Sequence, residues 1–87
     1  MPKRIFKYKV PLDTFVSMDM PEGAEPLHFG IQNDEPTLWA KVDPDNPIVS
    51  KKFMLFSTGY WFEDDHLKYI GTVINLDRYV WHLFEVT

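Results

Sequence analysis

The densest cluster of chemically active side chains in the sequence is the segment Glu63-Asp64-Asp65-His66. Carboxylates and imidazoles bind divalent cations and also act as general acids and bases. Cation sites, however, usually recruit several oxygen atoms at defined offsets along the chain, and three adjacent acidic residues lack that pattern. We therefore predict a solvated acidic loop without a metal, and keep a weak Mg²⁺ or Ca²⁺ site as the alternative.

The other candidates for catalysis are isolated along the chain. His28 and His82 are not spaced from each other, or from His66, as neighbouring metal ligands usually are. The sequence has no cysteine, and none of its serines lies in a Gly-x-Ser-x-Gly nucleophile elbow. Its four glycines are scattered singly, so it has no glycine-rich loop to hold a phosphate. We expect a protein that is not an enzyme, with no catalytic residue and no cofactor.

Length and composition indicate one folded domain of 87 residues, spanning 1–87. Hydrophobic residues make up 45% and aromatic residues 16% of the chain, and this content disfavours disorder. Nine basic residues against thirteen acidic ones give a net charge of −4, which argues against nucleic acid as the main partner.

The same sequence features bear on location. The lack of cysteine fits a reducing compartment. No apolar run approaches the roughly 20 residues that span a bilayer, and the basic start Met1-Pro2-Lys3-Arg4 is not followed by the apolar core of a signal peptide. We expect a cytoplasmic protein with no membrane partner.

The elements that position these residues are short strands, because prolines and glycines interrupt every helical period. Apolar residues alternate with polar ones on both sides of Pro11-Leu12-Asp13. We predict a tight hairpin there, with Tyr8 opposite Val16 and Phe6 opposite Met18.

A second hairpin is predicted around the turn Asn33-Asp34-Glu35-Pro36. In that register Gly30 lies opposite Trp39 and leaves space for the indole ring. The pairs on the other face are Ile31 with Leu38, Phe29 with Ala40, and Leu27 with Val42. Residues 51–58 follow as a strand that is apolar on both faces, which favours an interior position in a sheet.

A third hairpin covers Leu67 to Val86 and turns at Asn75-Leu76-Asp77-Arg78. Its register places Lys68 opposite Glu85, a pair of opposite charges. The other predicted pairs are Ile74 with Tyr79, Thr72 with Trp81, Ile70 with Leu83, Val73 with Val80, Gly71 with His82, and Tyr69 with Phe84. The whole pattern predicts an all-β fold of about seven short, mostly antiparallel strands in sequential hairpins, forming a small barrel or sandwich.

Two aromatic segments are candidates for binding. Trp81 and His82 are best explained by packing, with Trp81 in the core and His82 in the space beside Gly71; the alternative is a stacking Trp beside a hydrogen-bonding His. The loop Tyr60-Trp61-Phe62 is the stronger candidate, because exposed aromatic groups mark interaction sites. The alternative is that one or two of these three residues fold back as a lid over an open barrel end.

Four short motifs occur in order along the chain: Leu38-Trp39-Ala40-x-Val42-Asp43-Pro44, Thr58-Gly59, Tyr69-Ile70-Gly71-Thr72 and Trp81-His82-Leu83-Phe84-Glu85. With these motifs the chain resembles, over nearly its full length, a family of small uncharacterised proteins common in phages and prophages. The resemblance implies a phage or prophage origin and a stand-alone domain, and it supplies no catalytic residues. Small phage accessory proteins of this size often counter host defence by blocking a protein or sequestering a nucleotide signal.

The leading hypothesis is a non-enzymatic protein-binding module that acts through an aromatic surface including Tyr60, Trp61 and Phe62. Its partner is another protein or a second copy of the chain in a homodimer. The alternative is a protein that sequesters a nucleotide-like small molecule, with Trp39 or Trp61 stacked on the base. The residues that would contact phosphates in this alternative are Lys41, Lys51, Lys52 and Arg78. An enzyme is the third hypothesis.

Overall fold

The computed structural model describes residues 2–75 and 78–87. These residues form seven strands in two antiparallel sheets, with the strand orders β1-β4-β3 and β2-β5-β7-β6. The strands are β1 (Arg4–Lys9), β2 (Phe15–Pro21), β3 (Glu25–Gln32), β4 (Glu35–Val42), β5 (Ile48–Ser57), β6 (Leu67–Ile74) and β7 (Val80–Val86). The prediction of an all-β fold with seven antiparallel strands is confirmed, and the two separate sheets correspond to a sandwich. In the described part of the chain, no helix has the length and apolar character needed to cross a membrane.

The core lies between the sheets, and the alternation of side chains along each strand supplies it. In β2, for example, Val16 and Met18 are buried while their neighbours Phe15 and Ser17 point to the opposite face. Burying one large aliphatic or aromatic side chain contributes about 1.5–3 kcal/mol. The largest fully buried side chains are Phe53, Met20, Leu38, Leu83 and Val42.

The first two strands do not form a hairpin. β1 pairs with β4, and β2 pairs with β5, so the two strands belong to different sheets. The predictions that Tyr8 lies opposite Val16 and Phe6 opposite Met18 are therefore wrong. Alternation correctly indicated which side chains face the core, but both strands supply the same core from opposite sides. Alternation alone does not distinguish that arrangement from a hairpin.

The hairpin of β3 and β4 is confirmed, but its register differs by two residues from the predicted one. The loop consists of Asn33 and Asp34, whose φ angles of 50° and 64° suit the two-residue hairpin turns with left-handed central residues. Phe29 therefore pairs with Leu38. The same register places His28 rather than Gly30 opposite Trp39, and a bulge between Pro26 and His28 leaves Leu27 exposed.

The hairpin of β6 and β7 has the predicted register only at its open end. Lys68 lies opposite Glu85 and Tyr69 opposite Phe84, as predicted. A bulge between Tyr69 and Gly71 then shifts the register by one residue up to the turn.

This shift changes the partners of the Trp-His segment. Thr72 lies opposite His82 and Gly71 opposite Leu83, so the predicted pairs of Thr72 with Trp81 and of Gly71 with His82 are wrong. Leu76 and Asp77 of the predicted turn lie outside the described residues. The bulge places Tyr69 and Thr72 on the same face of the sheet.

Candidate functional site

A row of four apolar side chains crosses the outer face of the four-stranded sheet. Phe15 of β2 pairs with Met54 of β5, Met54 pairs with Phe84 of β7, and Phe84 pairs with Tyr69 of β6. All four point away from the core, because their strand neighbours point into it. The solvent-facing side of an antiparallel sheet is usually polar, so this outer row, Phe15-Met54-Phe84-Tyr69, is unusual for a surface.

The loop between β5 and β6 folds onto the same face. The ring of Phe62 stacks on Phe56, with centroids 4.3 Å apart, and lies 5.4 Å from the ring of Phe84. Tyr60 also stacks on Phe56, at 5.4 Å. Phe56 is therefore buried outside the main core, under its own loop. Tyr60 and Phe62 do fold back, but onto the outer face of a sheet rather than over the end of a barrel.

Trp61 has a different environment from its two neighbours. While Tyr60 and Phe62 are partly covered by Phe56, the side chain of Trp61 is 95% exposed. A shallow groove of about 400 Å³ separates Trp61 from Phe15, which is itself 77% exposed. We call the combined surface the aromatic face, and its members are Phe15, Met54, Phe56, Tyr60, Trp61, Phe62, Tyr69 and Phe84.

A second apolar groove lies at the other end of the aromatic face. It has a volume of about 300 Å³, and its walls include Met54, Val86 and the stem of Lys52. The ammonium group of Lys52 donates a hydrogen bond to Ser17 Oγ at 3.1 Å. Within the described part of the chain no carboxylate forms an ion pair with Lys52. The aromatic face thus has a protruding indole at one end and an apolar groove at the other.

A chain of polar side chains borders the outer row on the side of Phe56, because Phe56 pairs with His82 and His82 pairs with Thr72. His82 Nε2 lies 2.8 Å from Thr58 Oγ1, and His82 Nδ1 lies 2.9 Å from Thr72 Oγ1. Thr72 Oγ1 is also hydrogen-bonded to the hydroxyl of Tyr69. In a neutral imidazole one nitrogen donates and the other accepts, so these hydroxyls satisfy both ring nitrogens.

Trp81 and His82 face opposite sides of the four-stranded sheet. Trp81 packs against the core, as predicted. His82 lies on the outer face and contacts Thr58 and Thr72, so the predicted position beside Gly71 is wrong.

The acidic segment that follows the aromatic loop is exposed from Glu63 to His66. Among residues 2–75 and 78–87, no three His, Asp or Glu side chains converge as the ligands of a metal ion would. Glu63 forms part of the groove beside Phe15, so it brings a negative charge to this end of the aromatic face.

Trp39 and Lys41, both named for nucleotide binding, lie on the outer face of the three-stranded sheet. The ring of Trp39 lies 5.8 Å from that of His28, and Lys41 forms an ion pair with Glu25 at 3.1 Å. This outer face lies on the side of the sandwich opposite the aromatic face.

The other three residues named for phosphate contacts are separated as well. Lys51 points inward, where it forms an ion pair with Glu85 at 3.0 Å and donates a hydrogen bond to the carbonyl of Ala24. Lys52 lies on the aromatic face, and Arg78 lies next to β7 with a left-handed φ of 67°. The structure does not bring this set together in one pocket.

Sequence reasoning identified the aromatic loop but missed Phe15, Met54, Tyr69 and Phe84. Two local signals were present. Phe15 alternates out of phase with the buried residues of β2, and β5 is apolar on both faces. Phe15, Met54, Tyr69 and Phe84 come together only through the register across four strands. Two of the three pairs in the outer row connect strands that are not consecutive in sequence.

Fold and site together define a small β-sandwich with an apolar outer face. The whole chain, residues 1–87, matches the domain of unknown function DUF7352, and the protein belongs to that family. None of the curated proteins and none of the solved structures matches the chain.

Proposed function

We propose that this protein is a non-enzymatic binding module that engages a protein partner through the aromatic face. The observation that carries the proposal is the 95% exposure of Trp61 beside the outer row. Monomeric soluble proteins rarely expose contiguous apolar patches of more than a few hundred Å². Trp and Tyr are also among the residues that contribute most to binding energy at protein interfaces.

The shape of the surface favours a protein over a small molecule. Small-molecule sites are concave, and they enclose most of the ligand around a few convergent polar groups. The aromatic face is broad and shallow, and the polar atoms of Thr58, Thr72 and His82 are bonded to one another. Sequestration of a nucleotide has less support, because Trp39, Lys41, Lys51, Lys52 and Arg78 lie on different faces.

The resemblance to phage and prophage proteins extends the proposal to a setting. The protein would be a phage accessory protein that acts in the host cytoplasm and inhibits a host defence protein by occupying its surface. This extension rests on the resemblance and on the small size of the chain, and the aromatic face provides the surface that such an inhibitor needs.

The experiment compares partner capture by immobilised wild type, Trp61→Ala and Ile5→Ala from a bacterial lysate, with mass spectrometry of the bound proteins. Ile5 is the matched control, because it is an exposed apolar residue on the three-stranded sheet, away from the aromatic face. We expect Trp61→Ala to reduce capture of a specific protein at least tenfold and Ile5→Ala to leave it unchanged.

Circular dichroism and thermal unfolding of both variants check the fold. Equal capture by wild type and Trp61→Ala would overturn the proposal, provided that the chain does not dimerise through this face. Unfolding of Trp61→Ala would also overturn it, because Trp61 would then be a structural residue.

A further inference from the structure

We propose that the aromatic face binds a second copy of this chain, face to face about a two-fold axis that runs along the outer row. The inference rests on the proposed function, since it takes the aromatic face to be a docking surface, and it names a second copy of the chain, rather than a host protein, as the partner of that face. Three properties of the face support it: its area, its shape and the position of its charges.

The area matches what a stable dimer needs. The exposed fractions are 95% for Trp61, 77% for Phe15, 56% for Tyr69, 49% for Tyr60 and 41% for Phe62. With aromatic side chains of about 150–250 Å² each, these fractions correspond to about 600 Å². A standard protein interface buries about 800 Å² on each partner, so these five residues would supply most of one side.

The shape is self-complementary about this axis. The axis crosses the strands, so the rotation places each outer-row residue against its own copy and reverses the strand direction. Trp61 protrudes at one end of the aromatic face, and the groove beside Val86 lies at the other end. The rotation therefore carries the indole of each copy over the apolar groove of the other, which is the reciprocal contact that an isologous interface requires.

The charges are arranged in the same way. Lys52 lies on one side of the outer row, and Glu63 lies on the other side, near Phe56. At about 3.3 Å per residue, the positions of Lys52 and Phe56 on β5 are about 13 Å apart. Reversal of the strand direction brings Lys52 of each copy towards Glu63 of the other, and this gives two equivalent ion pairs beside the uncharged outer row.

Charge exchange tests this arrangement. In the homodimer of Lys52→Glu, positions 52 and 63 both carry carboxylates. In the homodimer of Glu63→Lys, both positions carry ammonium groups. Each single variant therefore meets two repulsive contacts, and we expect its dimer to dissociate at least tenfold more readily. An equimolar mixture of the two variants restores both attractions in a heterodimer, and so does the double variant.

The measurement is solution mass by light scattering over a range of protein concentrations, with circular dichroism of each variant to verify the fold. We expect twice the 10.3 kDa mass of the chain for the wild type and for the mixture. The single variants should have the mass of the monomer at the same concentration, and so should Trp61→Ala.

The other outcomes distinguish this inference from the proposed function. If the wild type is a monomer and Trp61→Ala no longer captures its partner, self-association is overturned and the proposed function remains intact. If Trp61→Ala dissociates the dimer but the charge variants do not, only the two-fold arrangement is overturned. A dimer that Trp61→Ala leaves intact overturns self-association through the aromatic face, and the capture experiment then decides the proposed function. A monomeric wild type that captures partners no better than Trp61→Ala overturns both.

Discussion

The ring of Phe62 stacks on the ring of Phe56, with the centroids 4.3 Å apart and the planes 16° from parallel. This contact anchors the loop after β5 to the sheet, and it holds Trp61 between two fixed neighbours. A residue that is ordered before binding loses less conformational entropy when the complex forms. The stacking of Phe62 on Phe56 therefore links the packing of the loop to the binding function proposed for Trp61.

We expect Phe62→Ala to weaken dimer formation or partner capture although Trp61 is unchanged, because the loop loses its anchor. The stacking itself should contribute about 0.5–1.5 kcal/mol to the free energy of unfolding, beyond the apolar area that it buries. Urea denaturation measures the stability, and light scattering or capture measures the binding. Trp61→Ala is the control, because loss of an exposed side chain should change stability by no more than about 0.5 kcal/mol. Unchanged stability and binding in Phe62→Ala would contradict the anchoring role.

A second prediction concerns the close approach of the two sheets at Gly71. A Cβ atom at this position would lie 3.1 Å from Cβ of Phe29, a buried residue of the other sheet. We expect Gly71→Ala to lower the free energy of unfolding by about 1–3 kcal/mol, since β3 and β6 must move apart. Urea denaturation monitored by circular dichroism measures the change.

Gly30→Ala is the matched control for this substitution. Its Cβ atom would approach His28 Nε2 to 2.8 Å, but that atom is at the end of an exposed side chain that can rotate away. Gly30→Ala should therefore cost less than Gly71→Ala. The reverse order would show that contact with Phe29 does not limit the packing of the sheets.

A third prediction concerns the ion pair between Lys51 and Glu85, whose side chains are only 20% and 16% exposed. Glu85→Gln leaves the ammonium group of Lys51 without its carboxylate in a mostly buried position. We expect a loss of about 1–3 kcal/mol in the free energy of unfolding, less than for a fully buried charge because some water still reaches the pair. The matched control is Glu35→Gln, which breaks the exposed pair with Lys9 and should cost under about 1 kcal/mol. Equal losses in urea denaturation would contradict this interpretation.

The strands could be predicted from the sequence because their signals are local. Alternation of apolar residues and the turn residues Asn33 and Asp34 identified neighbouring strands and one hairpin loop. The pairing of β1 with β4 was missed because it joins segments about 30 residues apart, and alternation carries no information about such partners. The two bulges, at Leu27 and Ile70, were missed because one extra residue leaves no mark in the pattern of residue types.

The candidate site divides in the same way. Tyr60, Trp61 and Phe62 are adjacent, so the sequence alone marked them as a candidate surface. Phe15 and Tyr69 join that surface only through the order of four strands, and each alone resembles an ordinary strand residue. The register places Phe15 and Tyr69 in one row with Met54, whose strand lies between β2 and β7.

The last prediction concerns alkaline pH. Burial raises the pKa of Tyr8, on the core-facing side of β1, above its ordinary value of 10.0. Between the two pKa values the unfolded chain has lost the phenolic proton while the folded chain keeps it. The contribution of this group to stability is therefore fully present below pH 10 and is lost as the pH rises through the pKa of the folded state.

Tyr8→Phe removes this titration, so we expect its free energy of unfolding to fall less steeply above about pH 10 than that of the wild type. Urea denaturation at a series of pH values from neutral to alkaline measures the slope. Tyr79→Phe, at an exposed position near the β6–β7 turn, controls for the loss of one phenol from the chain. If both variants change the slope equally, burial of Tyr8 is not the cause. If Tyr8→Phe retains the full slope of the wild type, other groups determine the alkaline limit of the fold.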